Sequence, residues 1–527
     1  MKTGIQRYSA GWVDQNVFLG MVGITLGVLG IGFLLFDIFP LPPINLFFFT
    51  GLLFLLALYR PNWCFLLLVA ALPFETLNML PESVGVILRP YQWLCIILVL
   101  ALGIRIVSHR TAWPLFSFSW LDIFLALIPL GALVSGLFSG GEGPRLAVIV
   151  ASFYGLYVLA RVFLRTVGDV QVASRMLFAS GYISIIFGII QNAAFERGRL
   201  LAVVMPGRPN GTFTEPDWFG FFSAALLFFV FSQVDRRLNT VPDGTSRWFW
   251  RIFPVFLGLI PILVVLILTV SRSAWLAALA ALVLWILTAL LVEGKVALRR
   301  SLQSVQLFVI AAVLALLIVV DVPLTRFDLL NRAESTATGL QEITIACDTP
   351  TDVPAVIETI EVLSAFGCRH ITLEDRAALA AAGQSIQTVQ RPDPNIVIRS
   401  EIYRKTWAEI RQHPILGIGW GNIGTVLGRD NTDNAYNASN LWFEIILGAG
   451  LLGLIGLAGA VAIIISGVVR RLSSQGQAET GIILVCALLL LFLVFNSFNA
   501  GLLIGVVWFG LATIPVLLFP KLSVKPV

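Results

Sequence analysis

Residues 17–36 read VFLGMVGITLGVLGIGFLLF, an apolar run without a single charged side chain. A stretch of roughly 20 such residues is long enough to cross the hydrocarbon core of a membrane as a helix. Similar runs occupy residues 256–270, 304–320 and 481–494. Repeated apolar runs of this kind are typical of a protein with many membrane-spanning helices.

The composition of the whole chain agrees with this interpretation. Its 527 residues are 58% hydrophobic and 12% charged, and the mean hydropathy is +0.90. Soluble globular domains carry about 25% charged residues, so the composition excludes a soluble protein. The net charge of +5 does not indicate nucleic-acid binding, because basic residues in such a chain mainly set its orientation in the membrane.

We therefore predict an all-α polytopic membrane protein with about fourteen transmembrane helices and a small α/β extracytoplasmic insertion. The predicted spans are 17–38, 43–59, 63–79, 86–104, 119–138, 146–164, 173–194, 217–234, 250–270, 274–293, 304–321, 441–466, 480–497 and 500–520. The first eleven lie within residues 1–321 and the last three within 441–527. Residues 322–440 form the long segment between these two blocks.

The distribution of basic residues predicts the orientation. More than half of the 35 lysines and arginines fall on the same side as the N-terminus when the spans are threaded through a membrane. Because cytoplasmic loops are enriched in Lys and Arg, we predict cytoplasmic termini in a multi-pass protein of the bacterial inner (plasma) membrane. Residues 322–440 are then periplasmic or extracellular.

The short outer loops contain arginines, among them Arg89, Arg208 and Arg272, but no lysine. The planar guanidinium group suits bidentate contacts with phosphate. Each arginine could instead extend to the membrane interface or pair with a nearby acidic residue. A cluster of them on one face would form an anion site.

Residues 322–440 have the composition of a soluble domain. We predict a small α/β unit over residues 340–390, in which strands at 343–347 and 368–373 flank a helix over 353–366. An Ala-rich helix follows the second strand, and an amphipathic helix is predicted over residues 396–412.

Two cysteines and one histidine of this unit could carry chemistry. Cys347 and Cys368 lie in the two predicted strands, where either a disulfide or a pair of buried thiols would fit. His370 has no second His or Cys at ligand spacing, so we predict no metal site.

Four short motifs flank or enter the outer side. They are GRPNGTFTEPD (207–217), SRSAW (271–275), RSEIYRKTWAEIRQHPILGIG (399–419) and NAYNASNLWFE (434–444), the last of which leads into GAGLLG (448–453). In the third motif, apolar residues at helical spacing are followed by a proline and two glycines that end the helix.

In this order and with this topology, the motifs resemble the O-antigen ligase and O-antigen (exopolysaccharide) polymerase family of bacterial membrane glycosyltransferases. The resemblance covers roughly residues 195–460, and its most specific parts are Arg-(x)13-His-Pro-x-x-Gly-x-Gly and the Asn-rich loop before a Gly-x-x-Gly helix. It implies a donor glycan linked to undecaprenyl pyrophosphate or a similar polyprenyl carrier, and a glycan or lipid A-core acceptor. It also implies that the reaction needs no metal ion and no cofactor.

The resemblance assigns roles to individual residues. The arginines of the family stabilise the leaving pyrophosphate, and the matching positions are Arg208, Arg272 and Arg399. In the ligase branch a histidine usually precedes the position of Asn440, but here that residue is Ser439. A serine hydroxyl cannot act as a base at neutral pH, so acceptor activation must come from another group or be unnecessary.

The carboxylates Glu215, Asp217, Asp433 and Glu444 are the alternative bases. Glu444 ranks first because a carboxylate at membrane depth is costly and usually functional, although it could pair with Arg399 or Arg272. The complete candidate site has catalytic Arg208, Arg272, Arg399, Glu444 and Glu215, and substrate-binding Asn440, Ser439, Asp217 and Arg89.

The leading functional hypothesis is a polymerase of lipid-linked glycan repeat units. The missing histidine and the Thr-Glu-Pro-Asp sequence at 214–217 favour it over a ligase, which remains the main alternative. A transporter of lipid-linked glycan or small solutes is disfavoured, because the chain has no inverted repeat and no matching pair of broken spans. A non-enzymatic scaffold that holds a partner through the α/β unit stays open.

Overall fold

A computed structural model describes residues 15–84, 87–111, 116–195, 197, 199–205, 207–240, 246–292, 295–322, 324, 338–371, 379–429, 435–475 and 480–519. Helices α1 to α11 are Gln15–Leu35, Pro43–Tyr59, Pro61–Ala71, Pro90–Val107, Trp120–Ser139, Gly143–Phe163, Val167–Phe195, Pro216–Thr240, Ser246–Leu268, Arg272–Val292 and Lys295–Asp321. Strands β1 to β3 are Leu340–Cys347, Cys368–His370 and Ser385–Pro392. Helices α12 to α16 are Pro394–Gln412, Trp420–Leu427, Leu441–Gln475, Thr480–Asn496 and Gly505–Leu518.

Most of these helices are apolar. Within the described residues, nine are long and apolar enough to cross a membrane, and five further apolar helices are shorter, at 10–17 residues. Each of the predicted spans overlaps one of these helices. The prediction of an all-α polytopic membrane fold is therefore confirmed, and the protein is a multi-pass membrane protein.

Two predicted spans are longer than the helices within them. The span 63–79 overlaps only α3, which begins at Pro61 and already ends at Ala71, because Pro73 has no N–H group to continue the helical hydrogen bonds. The span 500–520 contains α16, which begins at Gly505. The residues before it form a loop in which the Asn496 side chain accepts a hydrogen bond from the Gly501 N–H at 2.6 Å. We call residues 497–504 the α15–α16 loop.

We expect cysteine labelling to establish the orientation of these helices. Single cysteines at Gly141, after α5, and Thr338, before β1, should react with a membrane-impermeant maleimide added to intact cells. A cysteine at Ser108, after α4, should react only after lysis, because the basic loops are predicted to be cytoplasmic. All three positions are exposed. Reaction at Ser108 in intact cells would reverse the predicted orientation.

Close helix packing brings α5 alongside α14. Small residues allow this approach: a side chain at Gly456 would place its Cβ 2.7 Å from the Phe124 carbonyl oxygen, and one at Gly131 would collide with the Ala449 carbonyl. Small residues are typical of helix contacts in membranes, where dispersion rather than the hydrophobic effect drives association. The contact places the beginning of α14 near the loop that follows α5.

The strands form one antiparallel sheet in the order β2–β1–β3. We call residues 338–393, which contain this sheet, the insertion. Leu340 at the start of β1 pairs with Pro392 at the end of β3. The insertion therefore leaves and rejoins the rest of the chain at one place. Its small core is formed by the buried side chains Ile343, Ile345, Cys347, Val353, Ile357, Leu363, Cys368 and Val389.

The predicted α-helix over 353–366 is wrong. Only a short 3₁₀ turn forms, at Glu361–Phe366, because the preceding backbone pairs with β3 instead. The Ile357 N–H donates to the Gln390 carbonyl, and the Gln390 N–H donates to the Ala355 carbonyl, both at 2.8 Å. The helix-like apolar spacing instead reflects side chains that cover the sheet. The predicted strand at 368–373 already ends at His370, and the first half of the Ala-rich segment 375–382 lies outside the described residues.

The alternative of a disulfide between Cys347 and Cys368 is confirmed. The two residues lie opposite each other in the β1–β2 pair, and their sulfur atoms are bonded. The bond closes the end of the insertion that is farthest from Leu340 and Pro392. It therefore closes the loop 348–367 that connects β1 to β2 and limits the conformations of the unfolded chain.

Candidate active site

Arg208 is buried and attached to the turn between α9 and α10. Its Nε donates to the Thr269 carbonyl at 2.7 Å, and its Nη2 lies 3.1 Å from Oδ1 of Asp217. Gly207 directly before it has a φ of +75°, which glycine adopts without steric cost. The first motif is thus folded so that Arg208 contacts the turn just before the second motif, and its charge is compensated by Asp217.

Arg272 is the first residue of α10 and lies in the same region. Its Nη1 is 2.8 Å from Oδ2 of Asp393, whose side chain has an exposure of 0%. Asp393 follows directly after β3 and precedes α12. The ion pair therefore connects the membrane helices to the insertion.

Arg399 lies on α12, six residues after Asp393, and is partly exposed. Its Nη2 donates to the Phe498 carbonyl in the α15–α16 loop at 3.2 Å. Within the described part of the chain, no carboxylate forms an ion pair with it. Arg399 consequently differs from Arg208 and Arg272, because its described contact is a neutral oxygen.

The α15–α16 loop connects these groups. The Asn499 side chain donates from Nδ2 to Oγ of Ser273 at 2.8 Å, and Ser273 follows Arg272 directly. Asn440 donates from Nδ2 to the Ser497 carbonyl at 3.0 Å. The second, third and fourth motifs thus all contact one loop, and the first motif contacts the turn at Thr269.

Sequence reasoning missed the residues that make these connections. Asp393, Ser273 and Asn499 belong to none of the predicted candidates. The polar run Asn-Ser-Phe-Asn at 496–499, between two strongly apolar stretches, was a usable signal. The pairing of Asp393 with Arg272 had no such signal, because 121 residues separate them.

Glu215 is exposed, and no described residue hydrogen-bonds to its carboxyl group. Enough protein nevertheless surrounds it for burial to raise its pKa to about 7. The negative charge of Asp217 adds to this rise, and the positive charge of Arg208 opposes it. A carboxyl group with a pKa near neutrality can accept a proton and release it again at physiological pH.

Asn440 and Ser439 shape the beginning of α14. Oδ1 of Asn440 accepts a hydrogen bond from the Trp442 N–H at 2.9 Å, which is the contact of a helix N-cap. Ser439 has a φ of +50°, and its carbonyl accepts from the Tyr403 hydroxyl at 3.3 Å. Both residues thus have structural contacts of their own beside the substrate-binding role predicted for them.

Glu444 is buried, and both of its carboxylate oxygens are engaged. One accepts from Nε1 of Trp420 at 3.0 Å, and the other accepts from the Ala438 N–H at 2.7 Å. These partners differ from the predicted alternatives, Arg399 and Arg272. The contacts favour a role for Glu444 in holding α13 and the Asn-rich loop against α14.

The loop after His413 is inserted against a break in α14. Gly450 has a φ of +62° within this helix, so the helical hydrogen bonds are interrupted there. The Leu447 carbonyl instead accepts from the N–H groups of Ile418 at 2.8 Å and Gly419 at 3.0 Å. A Cβ at Gly417 would collide with the Leu447 carbonyl, and one at Gly450 would collide with that of Ile415. The glycines that end the third motif and the glycines that follow the fourth motif therefore allow the two backbone segments to touch.

We expect Gly417→Ala and Gly450→Ala to lower the melting temperature and the yield of folded protein. Each substitution would force an alanine into a left-handed backbone conformation, which costs about 1–2 kcal/mol. Each would also bring the new Cβ into collision with a carbonyl oxygen. Gly140→Ala is the matched control, because Gly140 has a φ of +67° but open space around its Cβ position. Thermal unfolding in detergent measures the difference, and equal losses at all three positions would contradict the collision argument.

Arg89 lies in a separate buried network. Its Nε is 2.7 Å from Oε2 of Glu75, and Glu75 also accepts from the Tyr91 hydroxyl at 3.1 Å and from the Gly505 N–H at 3.0 Å. The Glu75 N–H donates to the Thr212 carbonyl at 2.9 Å. Arg89 therefore supports the first motif through Glu75, and no described contact joins it to the other three arginines. Asp433 lies outside the described residues.

The fold and these contacts define a multi-pass membrane protein in which the four motifs, three of which contain arginine, are brought together by hydrogen bonds and ion pairs. Residues 257–458 match the family model described as O-antigen ligase. The resemblance to the O-antigen ligase and polymerase family is thereby confirmed, and it indicates a membrane enzyme that handles lipid-linked glycans. No curated protein matches the chain.

Proposed function

We propose that this protein is a glycosyltransferase that polymerises polyprenyl-pyrophosphate-linked glycan repeat units on the outer face of the inner membrane. The observation that carries the proposal is the position of Arg399. It is partly exposed, its described contact is a neutral carbonyl, and contacts through one loop link it to Arg272. A pyrophosphate would supply the missing counter-charge through charge-assisted hydrogen bonds.

The three arginines would act differently. Arg399 would contact the pyrophosphate directly. Arg208 and Arg272 are paired with Asp217 and Asp393, so their charges are partly compensated and their positions are held. Preorganised donors of this kind stabilise charge that develops in a transition state without reorganising during the reaction.

The proposed reaction is a displacement at the anomeric carbon of the donor glycan. A hydroxyl oxygen of the acceptor forms a bond to this carbon, and the bond from the carbon to the pyrophosphate oxygen breaks. The electron pair of the broken bond leaves with the polyprenyl pyrophosphate. The arginine side chains supply positive charge to this leaving group, and the acceptor proton passes to a base.

Glu215 is the base that the contacts support best. Asp217 is committed to Arg208, and Glu444 accepts two hydrogen bonds. Glu215 is exposed and has a pKa raised to about 7, which suits proton transfer near neutral pH. The serine at position 439 leaves this task to a carboxylate.

Ligation is the second candidate, since the matching family model is described as O-antigen ligase. It uses the same donor chemistry, with a lipid A-core acceptor in place of a second lipid-linked glycan. Ser439 at the position of the usual histidine favours polymerisation, because the histidine is associated with the ligase branch.

Reconstitution tests the proposal. The purified full-length protein in proteoliposomes is given lipid-linked repeat units alone or together with a lipid A-core acceptor. A ladder of longer lipid-linked products supports polymerisation, and a single transfer to the lipid A-core supports ligation. Movement of the glycan lipid across the bilayer without any new glycosidic bond would show that the protein is a transporter and not a glycosyltransferase.

A further inference from the structure

Asp393 lies at a junction of the molecule. Its N–H donates to the Gly339 carbonyl at 2.9 Å, next to the start of β1, and its carbonyl accepts from the Ile396 N–H at 2.9 Å at the start of α12. Its carboxylate pairs with Arg272 at 2.8 Å. One residue thus joins the insertion, α12 and the α9–α10 region.

The contacts around Asp393 form a closed ring. From Asp393 the chain continues along α12 to Arg399, which is roughly 9 Å further along the helix axis at 1.5 Å per residue. Arg399 contacts the Phe498 carbonyl, and the neighbouring Asn499 contacts Ser273. Ser273 follows Arg272, which pairs with Asp393. A closed ring of this kind holds the spacing between the two arginines.

We propose that Asp393 is a positioning residue that sets the distance between Arg272 and Arg399 and thereby couples the insertion to the leaving-group site. This proposal rests on the proposed function. Asp393 does not contact the substrate. Its carboxylate is buried, so it acts by holding Arg272 in one orientation while it anchors the helix that carries Arg399.

The positioning role predicts a specific kinetic change. Asp393→Asn should lower kcat about 10–100-fold, because a shift of about 1 Å at a reacting centre can cost this much, while KM changes little. Asp393→Glu keeps the charge but is longer by one methylene. Asp393→Glu should therefore have the thermal stability of the unmodified chain but the lowered kcat of Asp393→Asn. Asp352→Asn, an exposed carboxylate of the same insertion, is the control and should leave both quantities unchanged.

A distance measurement separates this proposal from the proposed function. Spin labels at Ser400 on α12 and at Leu276, an exposed residue of α10 four positions after Arg272, should give one narrow distance distribution in the unmodified chain and a broader or shifted one with Asp393→Asn. An unchanged distribution would overturn the positioning role, as would a loss of activity that only follows the loss of folded protein. Failure of the unmodified chain to transfer glycan would instead overturn the proposed function, and the distance result would still stand.

Discussion

Replacement of Arg399 by alanine is expected to lower the rate of glycan transfer by about 100–1,000-fold, because a lost contact to a developing anion costs about 2.7–4 kcal/mol. The yield and thermal stability of the protein should change little. Arg399 is partly exposed, and its described contact is one backbone carbonyl, so its removal leaves no described carboxylate unpaired.

Arg399→Lys should recover little of this rate, since a single ammonium group cannot reproduce a bidentate contact. Arg404→Ala is the matched control on the same helix. Arg404 is 71% exposed and pairs with Glu401 on the surface, and such pairs contribute about 0–1 kcal/mol. Initial rates in proteoliposomes at saturating donor measure the effect. Full activity of Arg399→Lys would mean that Arg399 only extends to the membrane interface.

The two paired arginines should behave differently from Arg399. Arg272→Ala leaves the buried carboxylate of Asp393 without this partner, and breaking a buried pair costs about 3–5 kcal/mol. We expect this variant to lose thermal stability together with activity. The contrast between Arg272 and Arg399 therefore distinguishes a group that is held by the protein from one that remains available to a ligand.

Hydrophobic patterning predicted the membrane part of the fold because a bilayer imposes one physical requirement on every span. About 20 apolar residues are needed to cross it, and such runs are visible without knowledge of their neighbours. Even in the membrane part, hydropathy did not predict where α3 ends and where α16 begins. These positions depend on Pro73 and on the side chain of Asn496.

The structure of the insertion was harder to predict because its apolar spacing fits either a helix or a segment that covers a sheet. Val353, Ile357 and Leu363 have helical spacing, yet they cover a sheet while the intervening backbone pairs with β3. The backbone N–H and C=O groups are hydrogen-bonded equally well in a helix and against another strand, so hydrogen bonding does not favour one structure over the other. Only the partner strand decides between the two structures, and that partner is distant in sequence.

In the candidate site, too, local features could be predicted and contacts between distant residues could not. Family motifs identified the arginines, since each motif is local. The groups that hold them, Asp393 for Arg272 and the Phe498 carbonyl for Arg399, lie 121 and 99 residues away. Conversely, the alternative that Glu444 pairs with Arg399 or Arg272 does not hold, because its carboxylate accepts hydrogen bonds from Trp420 and the Ala438 N–H instead.

Glu215→Gln is expected to reduce transfer by at least about 100-fold, the lower range for loss of a general base. The unmodified protein should also show a pH dependence. Desolvation by the protein that surrounds the Glu215 carboxyl group raises its pKa to about 7, and only the deprotonated carboxylate can accept the acceptor proton. Therefore kcat/KM should rise with pH through a midpoint near 7 and level off above it, and this rise should be absent in Glu215→Gln.

A second variant identifies the group that titrates. The negative charge of Asp217 contributes to the raised pKa of Glu215, whereas Arg208 lowers it. Asp217→Asn removes the first effect and frees the Arg208 charge from its partner, and both changes favour the deprotonated carboxylate. The midpoint should therefore move to lower pH without disappearing. Glu142→Gln, at an exposed carboxylate paired with Arg145, should leave the profile unchanged. If the rise persists unaltered in Glu215→Gln, the titrating group is not Glu215 and the proposed base must be abandoned.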